Sequence, residues 1–185
     1  MNARSAGIGV LLTLVTTSVV GQTGVLAERR FALPDHGHFV LQVPRDWRDQ
    51  LRQPPNRLSP TIVFGPSSGK PFQILITTLW PATKDRPPQS RAQLRASVER
   101  AAQAVKDQAV ERELRIVEFQ GQSGPGFYFS ATDPAPKPGE YRFMTQGILR
   151  VGGLSVTFTI LTNEGQARVV KQALAALQGA VQDGV

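Results

Sequence analysis

Cysteine is absent from all 185 residues. That excludes disulfide staples, a cysteine lipid anchor and thiol nucleophiles, so the core has to hold the fold by itself. Histidine is nearly absent, with only His36 and His38. No run of basic residues is interleaved with aromatics, which argues against nucleic-acid binding. The string G-x-S-x-G occurs at Gly65-Pro66-Ser67-Ser68-Gly69, but it lies between two strand-like runs and not on the strand-to-helix turn of a nucleophile elbow. The segment "PSSGKP" (66–71) holds Ser67, Ser68 and Lys70, but it lacks the spacing of a phosphate-binding loop and reads as a turn between strands. Long hydrophobic runs are missing as well. The longest, Ile8 to Val20, is broken by Thr13, Thr16, Thr17 and Ser18 and falls short of the ~20 residues a bilayer span needs.

That short run has a different reading. Arg4 precedes it, and Val25-Leu26-Ala27 follows with small or modest side chains at the -3 and -1 positions of a cleavage site. The pattern predicts a secretory signal peptide over residues 1–27, cleaved after Ala27 or within a few residues of it. The mature protein, residues 28–185, is then exported, periplasmic or extracellular, without a membrane span, and a monomer. Its roughly 158 residues suit a single domain that buries close to 70% of its unfolded surface.

Charge is what the chain has in excess. Net charge is +7, and +6 once the leader and its one ionisable side chain, Arg4, are gone. Arg29, Arg30, Arg45, Arg48, Arg52 and Arg57 crowd the first third of the mature chain. Such a field can meet anionic lipid, lipopolysaccharide, cell-wall polymer or an acidic protein.

Periodicity sets the elements. "GHFVLQVP" (37–44) alternates as a strand. "RDWRDQLRQ" (45–53) places Trp47 and Leu51 four apart, as on a short helical turn. "TIVFG" (61–65) and "FQILITTLW" (72–80) are β-branched and aromatic and form a hairpin. From Ser90 to about Val110, Leu94, Val98, Ala101, Ala102, Val105 and Ala109 recur at helical spacing, with Ser90 as N-cap. Four strands follow: "ELRIVEFQG" (113–121), "GFYFSATD" (126–133), "EYRFMTQGILRV" (140–151) and "LSVTFTILT" (154–162). Gly152-Gly153 marks a tight hairpin. A final helix carries Val170, Leu174, Leu177 and Val181, and Asn163 with Gln166 suggests a capping box. Hairpins dominate, so the fold class is α+β with a mainly antiparallel sheet.

The sequences "GHFVLQVPRDW", "PFQILITTLWP", "YFSATD" and "YRFMTQGILRVGGLSVTFTILTN", in this order around two helices, resemble the PsbP-like family, which includes exported DcrB-type bacterial proteins. The resemblance implies an α/β/α sandwich with helices on both faces of the sheet. It also implies partner binding rather than catalysis. The leading expectation is therefore an exported non-enzymatic accessory or binding protein of the cell envelope, contacting a protein partner or an anionic envelope component. The alternative is a small-ligand or divalent-metal binder. Asp35-His36-Gly37-His38 is the metal candidate, because an extended chain would send His36 and His38 to one side. No other cofactor is indicated. A hydrolase is the third reading, with Asp133 and Glu140 able to approach across the "DPAPKPGE" loop; its polarity argues against the raised pKa such chemistry needs. That loop, held extended by prolines, is also the expected partner contact, through Lys137, Tyr141, Arg142 and Tyr128.

Overall fold

The computed structural model describes residues 25–54, 59–81 and 88–184. Of the predicted leader, residues 1–24 lie outside them. Ten strands and two helices follow in order: β1 (Leu26–Ala32), β2 (His38–Pro44), β3 (Trp47–Arg52), β4 (Thr61–Pro66), β5 (Gln73–Leu79), α1 (Arg91–Val105), β6 (Val117–Gly121), β7 (Gly124–Thr132), β8 (Phe143–Val151), β9 (Leu154–Thr162), α2 (Ala167–Gln178) and β10 (Val181–Asp183). A short 3-10 turn, Lys106–Gln108, extends α1. Seven strands form the main sheet in the order β3-β4-β5-β9-β8-β7-β6, and β1-β2-β10 form a small one. Every pairing among the described residues is antiparallel; six of the eight join consecutive strands, whose short connections cannot return a strand parallel to its neighbour.

The helices cover opposite faces of the main sheet. One face carries Ile62, Phe64, Ile74, Ile76, Leu149, Val156, Phe158 and Ile160, buried under the small sheet and α2. The other carries Phe127, Phe129 and Ile148, buried under Leu94, Val98 and Ala102 of α1. Alternation along β7, β8 and β9 produces this division, since adjacent residues of a strand point to opposite faces. Burying each such large side chain contributes about 1.5–3 kcal/mol. Ser90 caps α1 as expected: its Oγ accepts from Gln93 N at 3.3 Å, and Gln93 Oε1 accepts from Ser90 N at 2.8 Å.

Four expectations change. Residues 47–52 are strand β3, not a helical turn, and pair with β4 from Trp47↔Pro66 to Arg52↔Thr61. A spacing of four fits both periods, and here it places Trp47 and Leu51 on one face of a strand. Helix α1 ends at Val105 rather than near Val110, whose amide instead donates to Thr132 O at 2.9 Å. The final helix stops at Gln178, and Val181 belongs to β10, where it pairs with Val40. Its capping box is half made: Gln166 Oε1 accepts from Asn163 N at 2.7 Å, but Asn163 Oδ1 accepts from Arg142 N at 3.0 Å.

The fourth is β1, which crosses the predicted cleavage point. Leu26 pairs with Pro44 and Ala27 with Val43, and Arg45 N donates to Val25 O at 2.9 Å. A chain starting at Glu28 is therefore expected to be about 1–3 kcal/mol less stable than one starting at Val25, since up to three backbone bonds go. Urea unfolding of the two forms measures this. Equal midpoints would mean these residues add nothing to the domain.

Candidate functional site

The pairing register gathers several connections at one end of the main sheet. Trp47 opens β3 opposite Pro66, which closes β4; Gln73 opens β5 opposite Leu161; Phe143 opens β8 opposite Thr162 and Thr132. The β2–β3 turn, the β4–β5 turn, the β7–β8 loop and the start of α2 consequently lie together.

Between the first two turns and α2 lies a cleft of about 490 Å³. Its charged lining is Arg45, Asp46, Lys70 and Arg168, and Trp47, Phe72 and Val169 supply apolar wall. The frame is tied down. Ser67 N donates to Asp46 O at 2.9 Å, joining the two turns. The Arg48 guanidinium donates to Pro66 O at 3.2 Å and Ser67 O at 3.0 Å. Beneath them Trp47 packs 5.2 Å from Phe72 and 6.1 Å from Phe64, ring to ring. Gln166 is buried and donates from Nε2 to Lys70 O at 3.2 Å, anchoring the β4–β5 turn to the start of α2. Among the described residues, no carboxylate lies within 4 Å of the Arg45 or Lys70 cation. Three cations and one acid give the lining a positive potential, which a recessed low-dielectric wall focuses.

The β7–β8 loop, residues 133–142, is folded on itself. Asp133 N donates to Arg142 O at 2.8 Å, and Glu140 N to Lys137 O at 2.9 Å. Each carboxylate holds its own turn: Asp133 Oδ1 accepts from Ala135 N, and Glu140 Oε2 accepts from Lys137 N. Arg142 ties the loop to the β9–α2 turn through Asn163 and through a 3.6 Å ion pair with Glu164. The connection is braced, with Lys137 and Arg142 exposed. Tyr128 does not join them. It stands on β7 against Phe119, with ring centroids 5.7 Å apart, at the edge of the larger core. Tyr141 is half-buried in the loop, so the two tyrosines form no exposed pair.

The histidine segment is not extended. Leu33 N bonds Gly37 O at 2.8 Å and His36 N bonds Leu33 O at 3.0 Å. Asp35 (φ 61) and Gly37 (φ 71) take left-handed backbone between them. His36 instead lies on Trp80 at 4.6 Å, while His38 opens β2 between Ala32 and Asp183. The premise that both rings share a side is thereby removed. Among the described residues no three His, Cys, Asp or Glu side chains gather as a metal site.

At the same end of the sheet, Glu111 accepts from Thr132 Oγ1 at 2.6 Å and from Thr132 N at 2.9 Å. Burial opposes its charge, but these bonds outweigh burial and hold its carboxyl below the usual value. A depressed carboxyl contributes stability that is complete above the unfolded-state pKa and is lost as pH falls through the folded one. Thr132→Val removes the hydroxyl donor. Its stability deficit is expected to be largest near neutral pH and to shrink through the acid range. A deficit constant from neutral to strongly acid pH would contradict the assignment.

Linear reading missed Arg45, Lys70 and Arg168 as a group. Reading residues 45–53 as a helix hid the turn that presents Arg45, and only the hairpin signal at 66–71 touched the cleft. No helix among the described residues is long and apolar enough to cross a membrane.

No family model matches the sequence, and no curated protein matches it. Among solved structures, the fold is similar to the solution structure of cyanobacterial PsbP (CyanoP) from Synechocystis sp. PCC 6803. The TM-score is 0.51 at 14% identity, over 90% of this chain and 98% of that one. A crystal structure from Bacteroides thetaiotaomicron VPI-5482 gives a TM-score of 0.40 at 13% identity, over 79% of this chain and 45% of that one. The fold is PsbP-like, as the sequence resemblance implied; at such identity the likeness speaks for fold alone.

Proposed function

We propose that this chain is an exported, non-enzymatic accessory protein of the cell envelope that engages an anionic partner through the loop end of its main sheet. The observation that carries this reading is the cleft in which Arg45, Lys70 and Arg168 meet on a braced frame, with Asp46 as the one acid among its described lining residues. Binding residues are commonly presented in this way, on loops held by a rigid scaffold. Export is supported by the leader-like pattern of residues 1–27, and partner binding by the resemblance that residues 37–163 carry.

The reading is tested by retention of envelope components on the immobilised protein. Retention is expected to fall as salt rises, and to be lost in Arg45→Glu/Lys70→Glu while Lys137→Glu keeps it. Retention indifferent to both salt and the cleft charge reversals would remove the reading. Retention lost with Lys137→Glu alone would move the contact to the β7–β8 loop.

A further inference from the structure

We propose that the cleft is a phosphate-binding site, an inference that rests on the accessory reading above and gives its anionic partner a chemical class. Arg45 comes from the β2–β3 turn, Lys70 from the β4–β5 turn and Arg168 from the first turn of α2, and together they line one recess with Asp46. Their formal sum is +2. Like charges gathered in a recess repel one another more strongly than in open water, because the effective dielectric there is lower. A bound phosphate relieves that repulsion, more fully as a monoester dianion than as a singly charged diester.

Geometry favours the same ligand. A tetrahedral phosphate presents oxygens in several directions, which suits donors on three walls. Arg45 and Lys70 have no carboxylate within 4 Å among the described residues. The Lys70 ammonium lies close beside Gly165, where an added Cβ would be 3.7 Å from Nζ. Gly165 leads directly into α2, whose first turn contains no acidic residue and whose Gln166 side chain makes no cap bond. The positive pole of α2 therefore adds to the lysine rather than opposing it.

The recess of about 490 Å³ is larger than a phosphate alone. It has room for a larger group that carries the phosphate. Trp47, Phe72 and Val169, all within the mature chain, supply apolar lining beside the cations. This lining accepts either a phospholipid headgroup or a phosphate carried on a soluble molecule or polymer.

The test is an amide-shift titration of the purified protein with sodium phosphate against sodium chloride at equal ionic strength. Vesicles of phosphatidylglycerol, with phosphatidylcholine as control, form a second arm. Phosphate is expected to give saturable shifts at Lys70, Gly165 and Arg168 and none along α1. Arg45→Ala/Lys70→Ala is expected to weaken binding about tenfold or more, and Arg100→Ala on α1 to leave it unchanged. Saturable shifts together with sedimentation on phosphatidylglycerol vesicles support the headgroup source. The same shifts without sedimentation support a soluble or polymer-borne phosphate. No saturable shift, or equal weakening by Arg100→Ala, overturns the site. Charge-dependent retention of an envelope partner without any phosphate shift would leave the accessory reading standing and remove this one alone.

Discussion

Replacing Gly147 with alanine should destabilise the protein by about 3 kcal/mol, at the upper end of the usual cost of overpacking a core. Gly147 lies in the middle of β8, between Tyr128 on β7 and Phe158 on β9. A Cβ there would press on the Phe127 carbonyl oxygen and come within 2.5 Å of the Phe158 ring and 2.7 Å of Tyr128 Cβ. A flexible side chain could move aside, but the carbonyl belongs to the central ladder and cannot. The Phe158 ring is itself wedged against Phe119, with centroids 6.2 Å apart. In a Phe158→Ala background, which carries its own cavity cost, Gly147→Ala should still destabilise, though by less than in the wild type, since the backbone contact remains. Urea unfolding of the two single variants and the double variant checks this. A Gly147→Ala loss under about 1 kcal/mol would show that the sheet yields more easily than the contacts imply.

Phe129→Ala is expected to cost about 3–5 kcal/mol. Phe129 is fully buried on the α1 side of the sheet, in a cluster with Leu94, Val98, Ala102, Phe127, Ala131 and Ile148. This smaller core fastens α1, whose polar face offers only surface contacts such as Arg95–Glu99 and Arg91–Glu118. Exposed pairs of that kind contribute little. The loss should therefore concentrate on α1. Its amides should exchange hydrogen faster than those of α2, which packs on the opposite face with the larger core. Uniform acceleration across both helices would show instead that the two cores unfold as one unit.

Gly147 could have been noticed in the sequence, since a lone glycine inside a strand pattern marks a close approach of some neighbour. What it approaches could not. Phe158 and Tyr128 reach it only through the β7-β8-β9 register. Phe129 was more legible, because alternation in "GFYFSATD" separates Phe127 and Phe129 from Tyr128 before any partner is known. The histidines went the other way. Their i, i+2 spacing suggested a shared side, but a turn with Asp35 and Gly37 in left-handed backbone cancels that spacing.

Local pattern alone determined the antiparallel β-rich class, α1 with its Ser90 cap, and the 66–71 and Gly152-Gly153 hairpins. Each depends on neighbours within a few residues, where periodicity and turn chemistry act. Tertiary structure decided the rest. It separated β1, β2 and β10 into a second sheet and made a strand of residues 47–52, because a spacing of four fits strand and helix alike until a partner strand selects one. It also brought Arg45, Lys70 and Arg168 to one cleft. Their convergence is set by strand register and by the Gln166–Lys70 bond, which join residues far apart in the chain and leave no periodic trace along it.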